Sequence, residues 1–137
     1  MANSTLPHPD RKLQVPPVFL VLIAVSLTVS GELLLKHGMN QHGALLLDPA
    51  TIVPNLLRIF GNVQILCGFA LIFSAGIFWL SAISQMNLSV AYPMLSTSYV
   101  LILIASGLFL GETITWVRVA GVMVIMSGVG LVFWSSR

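Results

Sequence analysis

The sequence predicts an all-α integral membrane protein, a bundle of four transmembrane helices that acts as a dimer. Of the 137 residues, 57% are hydrophobic and 7% are charged, whereas about a quarter of the residues of a soluble protein are charged. The chain also contains four apolar runs, each long enough to supply the roughly 20 residues that a helix needs to cross a membrane. Because four helices do not easily enclose a pathway, we expect two chains to act together.

The chain divides into a polar N-terminal tail, residues 1–16, and a four-helix transmembrane domain, residues 17–137. The first span is predicted at 17–36, because a proline suits the first turn of a helix and the apolar run ends before His37. The other spans are predicted at about 59–82, 88–110 and 114–134. We expect the loop 38–58, which mixes leucines with polar residues, to lie along the membrane interface. The connections at 84–87 and 111–113 are very short, so successive helices run antiparallel.

Composition and residue spacing exclude several classes of function. The six basic residues are scattered among the spans and cannot form the contiguous patch that a nucleic-acid backbone requires. Cys67, the one cysteine, cannot form a disulfide within the chain, and we expect it to be a small buried side chain. The histidines lack the spacing of metal ligands, so we assign no metal site and no cofactor. No nucleophile with a base and no phosphate-binding loop is visible, so the chain is not predicted to be an enzyme.

The basic residues do not fix the orientation in the membrane, although such residues are normally in excess on the cytoplasmic side. Three lie on each predicted face: Arg11, Lys12 and Arg137 with the termini, and Lys36, Arg58 and Arg118 opposite. This balance leaves two arrangements open. Either the chain inserts in both orientations, which would allow an antiparallel homodimer, or a partner subunit of opposite charge bias fixes one orientation.

Glu32 is the acidic residue within the predicted spans. It lies about 15 residues after Pro17, which places it roughly 22 Å along the helix and past the midplane. Lys36 follows one turn later on the same helix face. Two interpretations remain open: an interfacial ion pair of Glu32 with Lys36 that anchors the helix end, or a proton- or ligand-responsive site that lines an internal cavity.

The third span contains a polar segment, Ala91-Tyr92-Pro93-Met94-Leu95-Ser96-Thr97-Ser98-Tyr99. Pro93 removes one backbone hydrogen bond, so we expect the helix to bend and to leave a carbonyl free near Tyr92 and Ser96. If a ligand or water satisfies that carbonyl, Tyr92, Ser96 and Tyr99 belong to a cavity. The alternative is that Ser96 and Thr97 bond carbonyls of their own helix and that Pro93 only shapes the packing.

The fourth span carries Gly121 and Gly128, seven residues apart and so on nearly the same helix face. Small residues let membrane helices approach closely. We expect a helix–helix seam here, either between two subunits or between two helices of one chain, and we favour the dimer seam. Trp79, Trp116 and Trp134 lie near the ends of spans, and we interpret them as interfacial anchors.

These segments resemble the drug/metabolite transporter superfamily, in particular its EamA-like and small multidrug resistance-like members with four helices. The resemblance covers residues 18–134 and rests on three parts, with a weaker signal from Gly111-Glu112-Thr113. The three parts are Ser30-Gly31-Glu32-Leu33-Leu34-Leu35-Lys36, Val90-Ala91-Tyr92-Pro93-Met94-Leu95-Ser96 and the Gly121 to Gly128 seam.

Two positions differ from the drug-exporting small multidrug resistance branch. Thr28 stands where that branch carries its proton-coupling glutamate, and Leu95 stands where it carries a tryptophan that stacks on cationic drugs. The segment from Ala91 to Ser96 is instead similar to the aminoarabinose-phosphoundecaprenol flippase subunits, which move a polyprenyl-phosphate-linked amino sugar across the inner membrane. Glu32 replaces a glutamine of those subunits.

The resemblance implies a multi-pass transporter of the bacterial inner membrane, in contact with membrane lipids, that translocates a lipid-linked sugar as a homodimer or as a heterodimer with a paralogous subunit. Its substrate-binding residues would be Glu32, Lys36, Tyr92, Ser96 and Tyr99. Two alternatives remain open. One is a proton-coupled exporter of cationic compounds, and the other is a non-transporting accessory subunit of a membrane glycosyltransferase, in which replacement of Glu32 or Tyr92 would have little effect.

Overall fold

The computed structural model describes residues 15–43 and 51–135, and these ranges are built from six helices. Four stretches are long and apolar enough to cross a membrane, with the two helices of the third span counted together. The prediction of an all-α chain with four membrane-crossing helices is therefore confirmed. The helices are α1 Pro17–His42, α2 Ile52–Phe60, α3 Val63–Ile83, α4 Leu88–Leu95, α5 Thr97–Phe109 and α6 Trp116–Ser135.

Helices α1 and α3 form the most extensive helix pair. Their packing includes a close approach of two glycines: a Cβ atom built on Gly31 would lie 2.8 Å from the backbone oxygen of Gly68. Glycine permits this approach because it has no side chain. The core beside this pair contains Val21 and Val25 of α1 and Met94 of α4. Helices α2, α4 and α5 pack against this pair, and α6 packs against α4 and α5.

The segment predicted as a loop at 38–58 is largely helical in the described residues. Helix α1 continues past the predicted end at Lys36 to His42, because Gly38 packs against Ile65 and permits a close approach of α3. Helix α1 ends at Gly43, whose φ of 79° is in the left-handed region that favours glycine. A separate helix, α2, then occupies residues 52–60.

The second span begins later than predicted, at Val63 rather than near residue 59. Asn62 interrupts the helix, and its side-chain oxygen accepts hydrogen bonds from the backbone N–H groups of Gln64 at 2.8 Å and Ile65 at 3.4 Å. This is an N-cap, in which a polar side chain satisfies donors that the first turn leaves unpaired. Cys67 of α3 is exposed, so its predicted burial was wrong.

The third span is two helices, α4 and α5, that are separated at Ser96. Pro93 lies inside α4, three residues before this interruption. At the break, the Ser96 N–H donates to the carbonyl of Pro93 at 3.1 Å, and the Tyr99 N–H donates to the carbonyl of Ser96 at 3.1 Å. The predicted bend at Pro93 stays a prediction, but regular helix is interrupted within the polar segment that suggested it.

A tight turn joins α5 to α6. Gly111 has a φ of 64°, and the Glu112 N–H donates to the carbonyl of Ser106 at 3.2 Å. Ile114 packs over Gly107, where an added Cβ would lie 2.5 Å from the Ile114 Cδ1. The chain is therefore folded back onto α5 before α6 begins at Trp116. Within α6, Val129 is the one buried residue, so this helix presents most of its surface outward.

Candidate functional site

The glycine contact between α1 and α3 fixes the level of Glu32 in the bundle. Gly31 lies beside Gly68 and Ile72, which are five and nine residues into α3. At 1.5 Å per residue, Glu32 therefore lies roughly 10 Å below the start of α3 at Val63. Its side chain is exposed on the surface of the described chain. Glu32 is thus inside the membrane-crossing part of α1, nearer to the end that carries α2.

A groove of about 340 Å³ lies one helical turn deeper, between α1, α3 and the third span. Most of its lining is apolar, and the hydroxyl groups of Thr28 and Ser98 are its polar features. Thr28 precedes Glu32 by four residues, so the two side chains are neighbours on the same face of α1, about 6 Å apart along the helix axis. The groove residues are Ala24, Val25, Thr28, Ile72, Ala75, Gly76, Trp79, Leu95 and Ser98.

Trp79 forms one wall of this groove. Its ring meets the ring of Tyr92 edge to face, with centroids 5.6 Å apart and planes at 84°. Tyr92 is 59% exposed and is not among the residues that line the groove. Edge-to-face geometry is a preferred arrangement of aromatic pairs. Trp79 therefore forms part of the groove wall, and its role as an interfacial anchor stays a prediction.

Lys36 pairs with Glu112 rather than with Glu32. The Lys36 Nζ lies 4.0 Å from the Glu112 Oε1, with side chains that are 53% and 40% exposed. The folded-back turn after α5 carries Glu112 to the C-terminal half of α1. The interpretation of Glu32 and Lys36 as an ion pair was therefore wrong. Thr28, Glu32 and Lys36 form a stripe on α1 that runs from the groove towards the end of the bundle that carries α2.

Ser96 and Tyr99 do not line the groove, although their neighbours Leu95 and Ser98 do. Ser96 is half-buried at the break between α4 and α5, and Tyr99 is 53% exposed. Sequence reasoning singled out Thr28 and Leu95 only as departures from a related branch. Their alignment to ligand-contacting positions in that branch was the signal that both face a common groove. Trp79 was singled out as an interfacial anchor and Ser98 as part of the polar segment, but nothing in the sequence assigned either residue to this groove.

A second, shallower groove of about 280 Å³ lies between α1 and α5, and most of its lining is apolar. Ser26 and Ser30 of α1 and Leu108 of α5 are among its residues. Within residues 15–43 and 51–135, no three side chains of the metal-ligating types are grouped together.

Among the residues that the structure describes, none lies close to the glycines of α6 on another helix. A Cβ atom built on Gly121 or Gly128 would have no atom of a neighbouring element within 4 Å. Both residues are exposed. They therefore do not mark a seam between two helices of one chain, which was one of the two interpretations of their spacing.

Comparison with known proteins shows similarity to flippase subunits. The chain is 37% identical over 123 residues to a probable 4-amino-4-deoxy-L-arabinose-phosphoundecaprenol flippase subunit ArnF of Enterobacter sp. (strain 638), covering 83% of this chain and 91% of that protein. The chain belongs to the family of aminoarabinose-phosphoundecaprenol flippase subunits. Four apolar helices and this family together indicate a multi-pass protein of the bacterial inner membrane.

Other flippase subunits match over a shorter stretch. Probable ArnE subunits of Yersinia pestis (strain Pestoides F) and of Yersinia pseudotuberculosis serotype O:1b (strain IP 31758) are 48% and 46% identical over 56 residues, or 41% of this chain. These matches span about half the length of the ArnE subunits, 49% of each. No protein-family model matches the sequence, and no solved structure matches it.

Proposed function

We propose that the chain is one subunit of a flippase that moves an amino sugar linked to polyprenyl phosphate across the bacterial inner membrane. The observation that carries this proposal is the similarity to a probable ArnF flippase subunit over 91% of that protein's length. Flippase subunits are transporters rather than enzymes. The groove, the carboxylate of Glu32 and the ammonium group of Lys36 follow one another along α1, and this order supports the same function.

The sugar occupies the groove between Thr28 and Trp79. Apolar ring faces of a sugar pack against an indole, while the hydroxyl groups of Thr28 and Ser98 bond the sugar hydroxyls. Glu32 lies one turn above and holds the ammonium group of the amino sugar, since an ionisable residue within a membrane commonly faces a substrate pathway. The resemblance implies a glutamine at this position in the flippase subunits, so a contact of Glu32 with the ammonium group would be particular to this chain.

Lys36 binds the phosphate that links the sugar to its lipid. It is one further turn towards the surface, where an exposed ammonium group can exchange Glu112 for a phosphate oxygen. A pair separated by 4.0 Å and half-exposed to solvent is held weakly, so this exchange costs little. The polyprenyl tail leaves through the open side of the bundle, where the shallow apolar groove between α1 and α5 faces lipid.

A second four-helix subunit completes the pathway. The mostly exposed α6 and the open groove support this partnership, because one chain leaves both uncovered. This chain matches both ArnE and ArnF, which are named as separate flippase subunits. This favours a paralogous partner over a second copy of the chain. Rocking of the two subunits about the groove would expose it to each side of the membrane in turn.

The proposal is tested in proteoliposomes that contain the chain with its paralogous subunit and a lipid-linked amino sugar. A membrane-impermeant amine reagent reports how much amino sugar reaches the outer leaflet. We expect wild-type protein to accelerate this exposure and Glu32→Gln to reduce it at least tenfold. Glu112→Gln is the matched control, because it makes the same chemical change at a carboxylate that is proposed to touch no part of the substrate, and its rate should stay within twofold of wild type.

The outcomes separate the two parts of the proposal. If wild-type protein does not accelerate exposure of the amino sugar, the flippase function is contradicted. If wild type is active and Glu32→Gln is equally active, the function stands but the contact between Glu32 and the ammonium group is wrong.

A further inference from the structure

Helix α2 has two apolar faces that point in different directions. Ile59 is buried and Ile52 is half-buried on the side that packs on the bundle. A second set of residues lies at spacings of three, one and three, which places them on one face of a helix. This outer face is Val53, Leu56, Leu57 and Phe60, whose side chains are 63%, 38%, 72% and 49% exposed.

The position of α2 is set by its link to a membrane span. Gly61 and Asn62 are the only residues between α2 and α3. The turn is closed by hydrogen bonds from the Gly61 N–H to Leu57 at 3.0 Å and from the Asn62 N–H to Ile59 at 3.0 Å. Asn62 also donates from Nδ2 to the Gln41 side chain at 3.3 Å. Helix α2 is therefore held where α3 enters the membrane.

The outer face of α2 continues into the outer surface of α3. The rings of Phe60 and Phe69 are stacked, with centroids 5.7 Å apart and planes at 22°. Phe69 is 47% exposed and lies six residues inside a membrane-crossing helix. Since lipid covers the outer surface of such a helix, the two rings form a continuous apolar surface from the lipid-covered part of α3 onto α2.

We propose that α2 is a membrane-surface helix whose outer face is inserted into the boundary between lipid headgroups and acyl chains. Arg58 is exposed and lies roughly 150° around the helix from the centre of the outer face, so it points towards headgroups and water. This division of apolar and basic residues is typical of helices that lie in the membrane interface. The docked helix fixes the depth at which α3 begins and, through the Gly31 and Gly68 contact, the depth of Glu32.

Spin-label accessibility in the full chain tests this docking. The background variant is Cys67→Ala, which removes the one cysteine, and the protein is reconstituted in liposomes. Nitroxide labels are attached to Val53→Cys and Leu57→Cys on the outer face and to Pro54→Cys and Arg58→Cys on the opposite side. Collision rates are measured with oxygen, which is enriched in lipid, and with a water-soluble nickel chelate.

For each label, the collision rate with oxygen is divided by the collision rate with the chelate. We expect this ratio to be at least threefold higher for the labels at 53 and 57 than for the labels at 54 and 58. Equal access of the chelate to all four labels would show that α2 lies in water and would overturn the proposal. Protection of 53 and 57 from both reagents would show that a protein surface covers this face and would also overturn it. Because the readout requires no transport, it is independent of the proposed flippase function.

Discussion

Gly31 of α1 and Gly68 of α3 lie so close that a Cβ atom on either residue would be within 3.0 Å of the backbone oxygen of the other. In a membrane, where the hydrophobic effect does not drive helices together, such close backbone approach is a main source of packing energy. The same contact places Glu32, the next residue after Gly31, at a defined depth. The stability of the hairpin and the location of the candidate site therefore depend on one pair of glycines.

The first prediction is that Gly31→Ala destabilises the folded protein by about 1–3 kcal/mol, the usual cost of an overpacked core. The added methyl group would lie 2.8 Å from a backbone oxygen that cannot move away easily. Unfolding by titration with a denaturing detergent gives the free energy. Gly130→Ala is the control, since an added Cβ there meets nothing within 4 Å. Equal stability of the two variants would show that the α1 and α3 backbones are not in contact.

The second prediction separates the two roles that Lys36 can have. Lys36→Gln and Glu112→Gln both break the same ion pair, and each should change stability by about 0.5 kcal/mol or less, as is usual for exposed pairs. If Lys36 binds phosphate, Lys36→Gln should lower the flipping rate at least tenfold, while Glu112→Gln should leave it within twofold of wild type. Equal losses of rate in the two variants would assign the effect to the ion pair and would contradict phosphate binding.

The four membrane-crossing helices could be predicted from the sequence, because the length of an apolar run is a property of that segment alone. The boundaries were less predictable where neighbouring helices decide them. The first helix was predicted to end before Gly38, yet Gly38 is helical because it fits against Ile65 of α3. Asn62 was not identified as a cap, since a cap depends on the backbone direction that follows it.

The candidate site was predictable along one helix but not between helices. Glu32 and Lys36 were singled out because charged residues are conspicuous in apolar spans, and their role in binding stays a prediction. The pairing of Lys36 with Glu112 was not predicted, since Glu112 reaches Lys36 only through the turn at Gly111. Trp79 resembled an interfacial anchor by its position in the chain. Its place in the groove depends on how α1, α3 and the third span pack together, and periodicity along one helix does not contain that information.

The third prediction concerns the aromatic pair. In a chain with Trp116→Phe and Trp134→Phe, Trp79 is the remaining tryptophan and reports on the groove. Binding of the lipid-linked amino sugar should change its emission intensity by at least 20%, because the sugar replaces water or lipid beside the indole. Tyr92→Leu removes the edge-to-face contact, worth about 0.5–1.5 kcal/mol, and should weaken this response. An emission spectrum that does not change under saturating substrate would show that Trp79 does not line the binding site.

The fourth prediction concerns the contact between subunits. Gly121→Leu and Gly128→Leu add large side chains at two positions where an added Cβ meets no atom of the described residues within 4 Å, so neither variant should change the fold of one subunit. If this face meets a second subunit, both variants should convert a dimer to monomers in native mass spectrometry of gently purified protein. Gly130→Leu is the matched control, because Gly130 lies roughly 180° around the helix from Gly121 and also meets nothing within 4 Å. Dimers that persist in the first two variants, or that are lost equally in all three, would show that the seam does not lie along Gly121 and Gly128.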